Sequence, residues 1–542
     1  MKMPRTLPMI AAGLMVAATL AHPASARTQT DVSPYLEVNQ IAIANWQGGN
    51  DEVLTYTTVA AGVDASITTQ RAEVGVNARY ERRFGWGNNI PDQDAISGLL
   101  RGRVNLIRDT LSLEGGAIAT RIRTDGLVGA NNLLTGNVDS TTQVYSAYVG
   151  PTLTTRIGDL NLNGAYRFGY TKIEDDFGIG VPGSPALGSF DESHSHTATF
   201  SAGMQPGPLP VGWSIGGGYN REDANVLDQR FEDKYVRGDI TVPVSPTLAL
   251  VGGVGYEDVK ISQRGALLDA SGAPVLSDKG RLITDPASPR LLSYDTDGII
   301  WDAGVLWRPS RRTSLEARVG RRYGNMNYTG SFSWRPSRDT SVNIAVYDSI
   351  ESFGRLLNGN IAGLSTDFNA SRNPFSGDIN PCVQSATGGG QCFNDTLSAI
   401  SGSNFRRRGI SGQFATASGR TNWGLGVGYS RRTFLAPDNA TFASVNGSHD
   451  DNYYAQLFAN RRLDAQSGID GTLYANYYDS GINGDGVGGI GDVTNVGANA
   501  SYYRNFGRRL TATAALGVDA VDPQGIDSII SALGQIGLRY QF

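Results

Sequence analysis

Apolar and polar side chains alternate with a period of two along much of this chain. Ala72, Val74, Val76, Ala78 and Tyr80 interleave with Arg71, Glu73, Asn77, Arg79 and Glu81. Leu162, Tyr166, Phe168 and Tyr170 alternate with Asn161, Asn163 and Arg167, and Trp423, Leu425, Val427 and Tyr429 with Gly424, Gly426 and Gly428. At the C-terminus Ile536, Leu538, Tyr540 and Phe542 share one face, opposite Gly537, Arg539 and Gln541. This period places successive side chains on opposite faces of a β-strand. Its repetition predicts an all-β chain of many strands, each with one apolar face.

The connections alternate too. Short turns fall at Thr69-Gln70, Arg108-Asp109, Ile157-Gly158, Ser245-Pro246, Ser310-Arg311 and at five later or looser points, including Pro206 to Pro210 and Gly507-Arg508. Between them lie longer polar stretches such as Gln263–Arg290, Ile350–Asn404 and Leu435–Asp450. The near-repeat of Trp307-Arg308-Pro309-Ser310 as Trp334-Arg335-Pro336-Ser337 reads as two successive tight hairpins. Ten short turns and eleven longer connections predict about 22 strands, the first from Tyr35 to Trp46 and the last ending at Phe542, with both termini on the short-turn side.

Residues 1–26 have the parts of a secretory signal: Lys2 and Arg5, an apolar run from Ile10 to Leu20, and Ala24-Ser25-Ala26. The rest, 27–542, contains no apolar run near the roughly 20 residues that a membrane helix requires. A membrane protein built from strands must close on itself, because lipid tolerates no unpaired backbone edge. Apolar-out, polar-in alternation with long loops on one side predicts a transmembrane antiparallel up-and-down β-barrel in the outer membrane. The terminal strand ending on Phe542 resembles the closing strand of bacterial outer-membrane barrels, which implies recognition of Ile536, Leu538, Tyr540 and Phe542 by the barrel-assembly machinery. Outer-membrane lipid and lipopolysaccharide are the implied surroundings. A net charge of −5 points to no nucleic-acid partner, and no oligomeric state is legible.

A barrel this wide holds a water-filled channel or a plugged lumen. Nutrient transporters driven by the inner-membrane energy-coupling system resemble it in strand count but carry an N-terminal plug, for which no length precedes Tyr35. The lumen is then open or blocked by its own loops. The longest connection, Ile350 to Asn404, contains a candidate helical turn at Ser352 to Leu357 and both cysteines, Cys382 and Cys392. In an exported chain such a pair reads as a disulfide closing a small loop rather than as free thiols. The segment either folds over or into the pore, stiffened by the disulfide, or is a protease-resistant surface loop. Charges expected to face inward are Arg71, Glu73, Arg79, Glu81, Arg101, Arg103, Arg167, Glu316 and Arg318. They form either a pore lining with a mild anion bias or ion pairs bracing a solvated wall.

Catalysis finds little support. His194 and His196 flank Ser195 at a strand end and share a face, but two ligands do not make a metal site. His449 precedes Asp450 and Asp451 without a second matching pair, and the glycines between Gly484 and Gly491 lack the strand-and-helix context of a phosphate loop. The sequence therefore reads as a non-enzyme, with no catalytic, cofactor-binding or metal residues to assign.

Pro34-Tyr35-Leu36-Glu37-Val38, Tyr80-Glu81-Arg82-Arg83-Phe84-Gly85-Trp86 and Gly320-Arg321-Arg322-Tyr323-Gly324 resemble passages in a group of large alphaproteobacterial outer-membrane barrels, related in style to those of exopolysaccharide and surface-protein sorting systems. Look-alikes are sometimes labelled preprotein translocase subunit YajC. That family resembles a single inner-membrane helix with a small cytoplasmic domain, and this sequence supports neither. The resemblance implies kinship and no catalytic residues. Two functions follow as expectations: a passive porin-like channel for small solutes, or a structural or export-accessory barrel associated with surface polysaccharide and without transport of its own.

Overall fold

The computed structural model describes residues 28–47, 53–86, 92–123, 141–174, 190–277, 281–385, 390–397, 402–437, 446–481, 492–524 and 527–542. The signal segment, 1–26, lies outside them. Fifteen strands precede the long connection. They begin with β1 (Gln29–Gln47), β2 (Val53–Thr68), β3 (Ala72–Trp86), β4 (Gln93–Ile107) and β5 (Leu111–Arg123). Next come β6 (Thr141–Ile157), β7 (Leu160–Glu174), β8 (Glu192–Met204), β9 (Gly212–Ala224) and β10 (Gln229–Ser245). Then follow β11 (Leu248–Gln263), β12 (Leu291–Ser310), β13 (Thr313–Arg322), β14 (Asn325–Trp334) and β15 (Thr340–Glu351). The connection after β15 holds helix α1 (Phe353–Gly363) and the short strands β16 (Phe368–Asn369), β17 (Cys382–Ser385) and β18 (Gly390–Cys392). The wall resumes with β19 (Asn404–Ser418), β20 (Thr421–Leu435), β21 (His449–Arg462) and β22 (Ser467–Ser480), and ends with β23 (Val493–Phe506), β24 (Leu510–Pro523) and β25 (Ile529–Gln541).

The wall is one 22-stranded antiparallel sheet, closed by pairing of β1 with β25 from Tyr35↔Gln541 to Gln47↔Ile530. Closure leaves no edge whose backbone groups would lie bare in lipid. The ten short turns fall where the alternation places them, as at Gly158-Asp159 between β6 and β7 and Gly507 to Arg509 between β23 and β24. β1 begins at Gln29, earlier than the alternation indicates, because Asp31 and Ser33 continue the ladder opposite Ser66 and Asp64. One outer connection is tight: Tyr323 and Gly324, at φ 54° and 71°, join β13 to β14 as a two-residue hairpin turn.

Outward residues form the apolar band that meets lipid. Ile536, Leu538, Tyr540 and Phe542 are all exposed there, while Arg539 turns inward and pairs with Asp64 at 2.5 Å. The chain is an outer-membrane β-barrel.

Candidate functional site

Residues 352–385 and 390–397 turn back from the outer end of β15 into the lumen. Ser352 caps α1 by accepting from the Arg355 amide at 3.2 Å, and its hydroxyl donates to Glu222 on β9. Phe353, Leu357 and Ile361 recur at helical spacing, and each is at least 98% buried. They enter one apolar cluster with Leu364, Ile379, Val383 and Phe393 from the same insert and with Leu99, Ile118, Val144, Tyr148 and Ile173 from the wall. Each such side chain contributes roughly 1.5–3 kcal/mol when fully buried. Ile361 sits against β5 at Gly116, where an added Cβ would lie 2.6 Å from its Cγ2.

Polar contacts register the insert against wall strands on most sides. Asn358 accepts from Ser146 at 3.0 Å and donates to Thr171 at 3.3 Å. Arg101 donates to the Leu364 carbonyl at 3.1 Å, and Thr366 donates to Glu73 at 2.9 Å, one residue inside the periplasmic end of β3. Arg121 pairs with Asp378 at 3.1 Å, Tyr56 donates to the Phe375 carbonyl at 3.1 Å, and Asp395 pairs with Arg407 of β19. The insert thus runs from the outer mouth towards the periplasmic side and touches β2 to β10, where Arg355 lies over the Phe231 ring at 3.7 Å, and the wall from β19 onwards. It is a plug formed from one internal loop.

The cysteines are joined as Cys382–Cys392 across the β17–β18 pair. This bridge packs on β20 at Gly426, where an added Cβ would lie 2.8 Å and 2.9 Å from the two sulfur atoms, with Tyr454 beside it. Two buried arginines of the plug are held differently. Arg372 donates to Ser97 Oγ at 2.5 Å, the Gly377 carbonyl at 2.7 Å and Asn77, with no carboxylate partner among the described residues. Burial, helped by the like charge of Arg79, draws its guanidinium below the ordinary arginine range. Burial works against the charge of Arg355 too, but the carboxylates of Glu351 and Glu222 outweigh it and hold that pKa up.

The expected lumen charges separate into three settings. Arg71 does not lie on a wall face: it is exposed in the turn ahead of β3, where its amide bonds Thr69. The two-residue alternation ends with the strand, so its phase cannot place a turn residue. Arg79 pairs with Glu37 and Glu81 at 2.8 Å each, all within or beside the plug's seat, and Arg101 pairs with Glu114 at 2.9 Å. Arg103 is about half exposed and 3.9 Å from Glu114. Glu316 and Arg318 lie on the side the plug leaves bare. There Arg318 pairs with Glu316 at 2.7 Å, Asp302 at 2.9 Å and Asp239 at 3.1 Å, and Arg237 bridges Asp239 at 2.6 Å and Asp302 at 2.8 Å. Sequence reasoning missed Arg237, Asp239 and Asp302, although their spacing on β10 and β12 follows the same alternation.

Two cavities open on this bare side. One, of about 340 Å³, lies between α1 and the wall and is lined by Arg167, Thr199, Asp233, Tyr235, Arg322 and Arg355 among others. The second, of about 370 Å³ and nearer the periplasm, shares Thr199 and Tyr235 with it and reaches Arg237 and Asp239. His194 and His196 lie outside the lumen, on the outward face among Tyr166, Phe168 and Tyr170, where Tyr166 bonds His196 Nδ1 at 2.8 Å. Asp450 and Asp451 are taken by Arg432 and Arg431 at 2.5 Å and 2.8 Å. No group of three or more potential metal ligands occurs among the described residues.

No protein-family model matches the sequence, and no curated protein matches it. Solved structures with a similar barrel include the FrpB iron transporter from Neisseria meningitidis, at TM-score 0.45 and 10% identity over 94% of this chain and 83% of that one. The ferric-catecholate import receptor Fiu from E. coli gives 0.44 and 10% over 94% and 81%, and the siderophore receptor PirA from Acinetobacter baumannii 0.40 and 9% over 95% and 81%. A likeness this loose says nothing of cargo.

Proposed function

We propose that the protein is a passive, porin-like channel for small polar solutes, whose bore is set by its own folded-in loop. The observation that carries this reading is the uneven lining of the lumen. The plug seals one side with buried apolar side chains, while two adjoining polar cavities and a partly open ion-pair network run along β6 to β13. Water and hydrated solutes favour such a surface, and a packed apolar one excludes them. On the bare side Arg237 and Arg318 face Asp239, Asp302 and Glu316, so a weak preference for cations replaces the anion bias expected from the arginines at large. Delivery to the membrane through the barrel-assembly machinery, by way of the strand ending at Phe542, belongs to the same reading.

The test is single-channel recording of the refolded barrel beside a variant in which residues 354–402 are replaced by a short Gly-Ser linker. Stepwise conductance that rises several-fold on removing the insert is the expected result. A silent but well-folded barrel would favour the structural or export-accessory reading. Equal currents from the two proteins would show that the insert does not limit flow.

A further inference from the structure

We infer that the cavity between α1 and the wall is a binding subsite for a neutral, hydroxyl-rich solute, a sugar of one or two rings; this rests on the channel reading. Three polar atoms of its lining lack partners. The Tyr148 hydroxyl and Asp233 Oδ1 are buried and make no hydrogen bond, on residues only about 5% exposed. Arg355 has a third unpartnered atom, Nη1, while its Nη2 is held by Glu351 at 2.8 Å. Arg167 lies over the Tyr148 ring at 5.9 Å and has no hydrogen bond or ion pair among the described residues. All four residues line the one cavity of about 340 Å³, at the lower end of the range of roughly 300–1,000 Å³ typical of small-molecule sites.

Leaving a buried polar group unsatisfied is costly, so three around one space, with the partly exposed Arg167 beside them, point to a ligand that satisfies them. Their chemistry selects its class. Arg167, Arg355 and the Tyr148 hydroxyl supply donors, whereas Asp233 Oδ1 needs one. A simple anion would meet the arginines but face the carboxylates of Asp233 and Glu351, and a cation would meet the reverse. A sugar hydroxyl both donates and accepts, and so matches both halves at once. Asn220, which donates to the other oxygen of Asp233 at 2.9 Å, holds that carboxylate in place, and Asn358 of the plug closes the floor beside Ser195 and Thr197. The plug therefore completes the subsite as well as narrowing the pore.

Isothermal titration of the full-length barrel in detergent with sucrose, maltose, gluconate and glucosamine tests this. Saturable binding of a neutral sugar, tighter than of either charged one, is expected, and Arg167→Gln and Asp233→Asn should each weaken it at least about tenfold. Heat-modifiable migration on a gel confirms that each variant is folded. No saturable sugar binding, affinity unchanged in both folded variants, or preference for a charged ligand overturns the inference. Recording currents from the same preparation keeps the two readings apart. Stepwise conductance without sugar binding removes the subsite alone, and sugar binding to a silent barrel removes the channel alone.

Discussion

The two sides of the lumen are built from the same strands and the same alternation, yet they differ in what occupies their inward positions. On β4 to β7 inward residues include Leu99, Ile118, Val144 and Ile173, all buried under the plug. On β10 to β13 an apolar cluster of Phe231, Val259 and Ile261, joined by Ile350 of β15, lies near the outer mouth, and further along the strands the inward positions hold Arg237, Asp239, Asp302 and Arg318, paired to one another and partly open to the bore. A barrel interior that only had to face water would be polar throughout. Apolar residues on its inner face therefore mark where something else is packed, as Arg355 is over Phe231, and the charged level of Arg237 and Arg318 marks the route left for solutes.

The difference is broken most severely by placing a charge within the sealed side. Leu357 is fully buried in the plug cluster, and Leu357→Asp would strand a carboxylate there at a cost of roughly 4 kcal/mol or more. The wall ladder does not depend on this residue, so the barrel should still form while the plug leaves its seat. Single-channel current approaching that of the linker variant, with heat-modifiable migration unchanged, is the expected outcome. Wild-type current would show that the apolar cluster does not hold the plug.

Opening the disulfide should act more gently. Cys382–Cys392 closes a loop of sequence separation 10, worth about 3 kcal/mol in the chain-entropy account. The double variant Cys382→Ser, Cys392→Ser should leave mean conductance near wild type but add flicker and expose the insert to protease. Gly426→Val attacks the same lobe from the wall side. Its side chain would meet both sulfur atoms, and overpacking of this kind costs about 1–3 kcal/mol. The variant should show the same protease sensitivity to a smaller degree with the bridge intact. If it is as resistant as wild type, the lobe does not rest on β20 as described.

How much of this was legible before the structure follows from what each part obeys. The wall obeys a local rule: alternation and turn chemistry place β20 and the closing partner of β25 without any distant contact. The plug's seat obeys no local rule. Asn358 meets Thr171, and Arg121 meets Asp378, across well over a hundred residues of chain, and Gly116 and Gly426 matter through the atoms they leave room for. A signal was nevertheless present. The inner face of β5 reads Ser112, Glu114, Gly116, Ile118, Thr120 and Ile122, and two isoleucines on a water-facing side contradict the strand's own pattern. That exception to the alternation marks the seat, which the alternation itself does not. The arginines did the opposite. Arg79 and Arg101 keep the phase expected of a pore lining, but partners on neighbouring strands and the plug cover them.

The smallest effect on stability carries the sharpest test of the bare side. Arg237 and Arg318 each contact both Asp239 and Asp302, at about a fifth to a quarter exposure. Water screens such pairs, so Asp239→Asn with Asp302→Asn should cost the fold about 1 kcal/mol or less. Its effect on ions should be larger than its effect on folding. Wild type balances two arginines against Asp239, Asp302 and Glu316, whereas the variant leaves two cations facing Glu316 alone. Reversal potential in a salt gradient should then move from weakly cation-selective to anion-selective. The paired change Arg79→Gln, on the sealed side, should leave it where it was, since that guanidinium is buried against Glu37 and Glu81. Equal shifts from the two variants would mean that ions pass on both sides of the plug, and the division of the lumen into a sealed and an open half would fall.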